Sequence, residues 1–73
     1  MSMKLTYDKE ADAIYIELQD GMFARNKKVD DFTILDLDEK GHILGIEILE
    51  ASKRIPKRSL THVQIKNLIV DAS

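Results

Sequence analysis

The chain of 73 residues has no cysteine and no tryptophan, and carries one proline, three glycines, two tyrosines and two phenylalanines. Without cysteine there can be no disulfide, no thiolate nucleophile and no cysteine-ligated zinc or iron–sulfur centre. Long apolar runs are missing too. Met1-Ser2-Met3-Lys4 leads straight into a half-polar segment, with neither a signal-peptide apolar region nor a membrane span. A cytoplasmic protein without membrane association is the expectation. Repeats, low-complexity tracts and linkers are also lacking, so residues 1–73 are expected to form a single domain. Domains this small have thin stability margins, and with disulfides excluded, association with another chain is the remaining reinforcement. A homodimer or an obligate small protein partner is therefore expected.

The net charge of −2 is unevenly placed. Residues 1–50 hold 6 Lys/Arg against 12 Asp/Glu, a balance of −6, whereas residues 51–73 hold 5 Lys/Arg against one Asp, a balance of +4. An acidic region and a basic one suit self-association or a charged protein partner better than a long nucleic-acid groove.

Alternating apolar residues give the strands. Leu5 and Tyr7 alternate with Lys4 and Thr6, and Ile14, Ile16 and Leu18 alternate with Tyr15 and Glu17. Between them Asp8 can accept from amides ahead of it and fix a reversal. Asp20-Gly21 reads as a second hairpin turn. Residues 24–29, with Arg25, Lys27 and Lys28, have the composition of an edge strand. Phe32 to Leu37 is apolar on both faces and reads as an inner strand covered on both sides. Asp38-Glu39-Lys40-Gly41 supplies a turn into a strand from His42 to Leu49, with Leu44, Ile46 and Ile48 facing one way and Gly45 and Glu47 the other. Glu50 to Ile55 reads as one helical turn, and Pro56 can open a second short helix through Leu60. His62 to Lys66 alternates like a last strand. The fold class is thus α+β: an antiparallel β-meander of about five or six strands with one or two short C-terminal helices. Its expected core comprises Leu5, Tyr7, Ile14, Ile16, Leu18, Leu35, Leu37, Leu44, Ile46, Ile48 and Leu60.

The run Asp36 to Glu47 matches a calcium-loop template at Asp36, Asp38, Gly41 and Glu47 but places Lys40 where an oxygen ligand belongs. Flanks that alternate like strands favour a tight hairpin over an ion site.

Two separated blocks, Tyr7-Asp8-x-x-Ala11-Asp12-Ala13-x-Tyr15-Ile16 and Gly45-Ile46-Glu47-Ile48-Leu49-x-Ala51-Ser52-Lys53-Arg54, resemble the small YuzE-type family of bacterial and archaeal proteins, a domain of unknown function (DUF2283 type). The likeness covers about residues 3–54. It implies a small α+β domain on an antiparallel meander with no established activity. Because members are often encoded beside small toxin-like proteins, it also implies an antitoxin-like role.

Three functional readings follow. The first is a protein-interaction domain that masks a small basic protein with its acidic region, with Lys53, Arg54, Lys57 and Arg58 as a further partner contact. The second is a metal- or ligand-binding or catalytic module using Asp8, Asp12 and Glu47 as oxygen donors. The third is a weak nucleic-acid binder through Lys53–Arg58, which the lack of net positive charge and of interleaved aromatics disfavours. His42 and His62 lack a motif-spaced nucleophile or carboxylate, and Ser52 lacks a glycine-flanked nucleophile turn. The residues assemble no catalytic set and no cofactor is expected.

Overall fold

The computed structural model describes residues 3–66. Five strands, β1 (Lys4–Asp8), β2 (Ala13–Glu17), β3 (Arg25–Asp30), β4 (Thr33–Leu37) and β5 (Ile43–Ile48), precede two short helices, α1 (Ala51–Arg54) and α2 (Lys57–Thr61). All strand pairs are antiparallel, in the order β1-β2-β5-β4-β3. A β1–β2 hairpin and a β3–β4–β5 meander are thus joined along β2 and β5. The α+β class and the strand count agree with the sequence pattern.

Asp20-Gly21 does not make the expected hairpin, because β2 and β3 lie on either side of β4 and β5. The connection is instead held to the turn end of the β4–β5 hairpin. Leu18 N donates to Leu44 O at 2.8 Å, Gln19 Nε2 to Ile43 O at 2.9 Å, and Ala24 N to Leu37 O at 2.8 Å. Those bonds carry the chain across the sheet end and into β3. As its lysines suggest, β3 is a fully exposed edge.

Register decides the faces, since residues directly opposite in an antiparallel pair share one side. Ile14 lies opposite Ile48, Ile16 opposite both Leu5 and Ile46, and Leu35 opposite Ile46. Ile55, Leu60 and Val63 line a groove along this apolar face. The core is thin: Ile14, Leu37, Leu44 and Ala51 are the buried apolar residues among those described. Leu5 and Tyr7, expected in the core, are exposed, because β1 has no neighbour on its outer side among the described residues. Leu18, Leu35, Ile46, Ile48 and Leu60 are half-buried, and the smallest core residue, Ala51, was not foreseen. The second face of β4 is not covered as expected, since the helical segment lies on the Ile14 side and Ile34 stays half-buried.

Pro56 stands one residue ahead of α2, as its cap. Residues 62–66, read as a strand, form no ladder, and residues 67–73 lie outside the described part. Among the described residues no helix is long and apolar enough to cross a membrane.

Candidate functional site

The two sequence blocks that resemble the YuzE-type family meet at a clasp. Asp8 Oδ1 accepts from the Glu10 and Ala11 amides at 3.0 and 3.2 Å, which turns the chain from β1 toward β2. The turn ends at Asp12, whose backbone is left-handed at φ 52°. Asp12 Oδ1 accepts from the Tyr7 hydroxyl at 2.8 Å and the Ser52 amide at 3.0 Å, Oδ2 accepts from the Ser52 hydroxyl at 2.7 Å, and its carbonyl accepts from the Ala51 amide at 2.8 Å. Asp12 thereby satisfies the free amides at the start of α1 from across the chain, a task a helix normally gives to its own flanking residue. Glu50, the residue before α1, makes no such side-chain bond and is itself left-handed at φ 50°. A non-glycine residue in that region costs on the order of 1 kcal/mol, and the clasp offsets it. The Ser52 and Tyr7 hydroxyls hold the Asp12 carboxyl below the usual carboxylate range, while the bond to Asp12 raises the Tyr7 hydroxyl. A carboxylate so stabilised is a poor base. Ser52 is accordingly tied down and not activated.

The calcium-like run is divided between a turn and the sheet. Asp38 Oδ1 accepts from the Lys40 and His42 amides at 2.9 and 2.8 Å, and Oδ2 lies 2.9 Å from His42 Nδ1. Gly41 sits at φ 87°, where a side chain would be strained. The His42 amide and ring keep the Asp38 carboxyl below its ordinary range. Asp38 is therefore spent on its own turn, while Asp36 and Glu47 rise from β4 and β5 onto the sheet.

There they form the most unusual cluster in the described chain. Tyr15 lies opposite Glu47, and Asp36 and Glu17 each lie opposite Gly45, so all four side chains belong to the face opposite Ile14. Gly45 leaves room for the Tyr15 ring to lie across β5, since a Cβ there would stand 2.6 Å from Tyr15 Cζ. Asp36 Oδ1 accepts from Asn26 Nδ2 at 2.6 Å. Burial pushes the Glu47 carboxyl up from its ordinary value, and the adjacent Asp36 adds to it by hydrogen bonding and repulsion. Burial and Asp36 also raise the Tyr15 hydroxyl, with smaller repulsions from Glu17 and Glu47. Two shallow clefts flank Tyr15. One, of about 310 Å³, is lined by Glu17, Asp20, Asp36 and Phe23 among others; the second, of about 480 Å³, by Thr6, Asp8 and Glu47. Neither has a lysine or arginine in its lining.

Of the trio Asp8, Asp12 and Glu47, the structure brings Asp8 and Glu47 to one cleft and turns Asp12 into the clasp. Among the described residues no group of three His, Asp or Glu side chains converges as metal ligands would. Asp36 and Tyr15 are the partners that residue-by-residue reading missed. Their signal was parity: Tyr15, Glu17 and Glu47 each alternate with isoleucines, but only the register shows that they meet. The four cations are spread over α1 and α2. Lys53 Nζ pairs with Glu50 Oε1 at 2.9 Å, Arg54 stacks 4.9 Å from the Phe32 ring centre, and Lys57 and Arg58 stand exposed.

An uncharacterised protein of Methanocaldococcus jannaschii is 37% identical over 71 residues, covering 94% of this chain and 57% of that protein. The chain thus spans little more than half the length of this curated relative. No solved structure matches it. A family model described as protein of unknown function (DUF2283) matches residues 4–52, a stretch that contains all five strands, the Asp12–Ser52 clasp and the Tyr15–Asp36–Glu47 cluster, while Lys53, Arg54, Lys57 and Arg58 fall beyond it. Since the match takes in the whole sheet and both of its side-chain clusters, the chain belongs to this family of unknown function.

Proposed function

We propose that the domain is a protein-interaction module whose open sheet face receives basic side chains of a small partner, as an antitoxin masks a small basic toxin-like protein. One observation carries this reading: the clefts on either side of Tyr15 draw on five carboxylates, Asp8, Glu17, Asp20, Asp36 and Glu47, and on no cation. An arginine or lysine entering there gains an aromatic face and carboxylate acceptors together. It also offsets the repulsion between Asp36 and Glu47, which adds to burial in raising the Glu47 carboxyl. The acidic balance of residues 1–50 gives such a partner long-range attraction and fast encounter. The cations at Lys53, Arg54, Lys57 and Arg58 lie outside this surface and serve at most a secondary contact.

Coexpression with the basic product of a neighbouring gene, followed by affinity capture and a growth assay, tests the proposal. A complex that weakens steeply with salt is expected. The Asp36→Asn and Glu47→Gln pair should weaken it about tenfold or more. Gly45→Ala should weaken it as well, by driving the Tyr15 ring off β5. Absence of both capture and growth rescue with the wild-type chain would overturn the reading.

A further inference from the structure

The two edges of the sheet differ in a way that points to a second copy of this chain. Edge β3 carries Arg25, Lys27 and Lys28 and a register shift between Lys28 and Asp30. Pairing it with itself would set cation against cation, and such lysines and bulges are how sheets protect an edge. Edge β1, Lys4-Leu5-Thr6-Tyr7-Asp8, is exposed at all five residues, has no neighbour on its outer side among the described residues, and has no bulge against β2. Its sequence is complementary to its own reversal. We infer that two copies pair antiparallel along β1 about a two-fold axis at Thr6, joining two five-stranded sheets into one of ten.

In this register Thr6 meets its own copy, Leu5 meets Tyr7 and Lys4 meets Asp8, each of the last two pairs occurring twice. Leu5 and Tyr7 share the apolar face, where they are 49% and 39% exposed in the single chain, and Lys4, Thr6 and Asp8 share the other. Beside them a groove of about 350 Å³ runs between β1, β2 and α2, and its outer wall, Val63, is 59% exposed. Pairing at β1 brings the two grooves together at the seam and covers apolar surface that the thin core leaves in water. The charge pairs select the register: a slip by one residue moves Leu5 to the polar side and separates Lys4 from Asp8. This inference does not depend on the acidic face binding a partner, and its readout is the state of the purified chain.

Sedimentation of the purified protein at about 100 μM should show a dimer, in the concentration range where modest edge interfaces persist. Lys4→Glu places two carboxylate pairs at the seam and should weaken the dimer about tenfold or more. Asp8→Lys places two ammonium pairs there, and mixing it with the Lys4→Glu chain restores both attractions, so a heterodimer should form from two poorly dimerising chains. Asp8 also holds the β1–β2 turn, so a second variant keeps the question open to refutation if Asp8→Lys does not fold. The chain has no cysteine, so Thr6→Cys introduces a single thiol whose mate lies directly across the axis. It should oxidise to a disulfide-linked dimer, whereas Lys27→Cys on β3 should stay monomeric under the same conditions. A monomeric wild-type chain overturns the inference, as does a dimer that Lys4→Glu leaves intact and Thr6→Cys does not cross-link.

Discussion

Alternate residues of the same strands build two unlike faces. Ile14, Ile16 and Ile48 line one groove with Ile55 and Leu60 of the helical segment, whereas Tyr15, Glu17, Asp36 and Glu47 stand on the opposite side with no described helix above them. The covered face contains the apolar contacts that hold the domain together, and its acceptors are tied into the Asp12 clasp. On the open face burial, with the adjacent Asp36 adding to it, raises the Glu47 carboxyl above its ordinary value. Side chains are seldom held in such repulsion by folding alone, and perturbed groups of this kind gather where something binds. Groups that hold the fold and carboxylates crowded by burial and charge thus stand back to back on one sheet.

Equivalent truncations on the two faces make the largest test. Ile14 is 5% exposed, and Ile14→Ala should cost about 2–5 kcal/mol, the usual range for opening a cavity in a core. In a domain with a core of this size such a loss brings the chain close to unfolding. Ile34, opposite Glu47 on the open face, is half-buried, and Ile34→Ala should cost less than about 2 kcal/mol. Urea titrations of the two variants give the comparison directly. Equal losses would mean that both faces are core, and that something covers the acidic side even in the free chain.

Much of this division was legible beforehand. The alternation of Ile14, Ile16, Ile46 and Ile48 fixed which residues of β2 and β5 share a side, and Asp8 and Asp38-Gly41 named their turns correctly because side-chain acceptors act on amides two to four residues away. What could not be read depends on distance along the chain. Asp12 meets Ser52 across forty positions, and no local pattern marks a cap supplied by another element. The Asp36–Glu47–Tyr15 cluster needs the order β2-β5-β4, which periodicity does not supply. Leu5 and Tyr7 failed as core residues for the same reason, since alternation shows that a strand has an apolar face but not whether it lies at the edge. The final strand failed because His62 to Lys66 has strand composition but forms no ladder with either edge of the sheet, a long-range outcome that composition does not decide.

The covered side should reveal itself in acid. The Ser52 and Tyr7 hydroxyls lower the folded-state pKa of Asp12, so the unfolded chain takes up a proton there at higher pH than the native one. The stabilisation is therefore complete above the ordinary aspartate range, near 3.9, and is lost as pH falls through the lower folded value. Asp12→Asn should be less stable than wild type at neutral pH, with the gap narrowing as both are acidified. Ser52→Ala should reproduce part of the loss, because the amide bond to Asp12 survives while the hydroxyl bond does not. Thermal melts at pH 7 and pH 3 measure this. A gap that does not change with pH would remove Asp12 as an ionised clasp.

The smallest effect should carry the opposite sign. Glu47 has a raised folded-state pKa, so the native chain holds its proton to higher pH than the unfolded chain does, and the folded state loses ground as pH climbs from the ordinary glutamate range through the raised value. Glu47→Gln keeps the shape and removes the charge beside Asp36. At neutral pH it should raise the melting temperature slightly, and below about pH 4 the difference should vanish, because wild-type Glu47 is then protonated in both states. The same substitution should weaken capture of a basic partner. A variant that gains stability while losing binding is the signature of a carboxylate kept against the interests of the fold. A Glu47→Gln chain less stable than wild type at pH 7 would instead make Glu47 a structural acceptor, and the open face would then be no different in kind from the covered one.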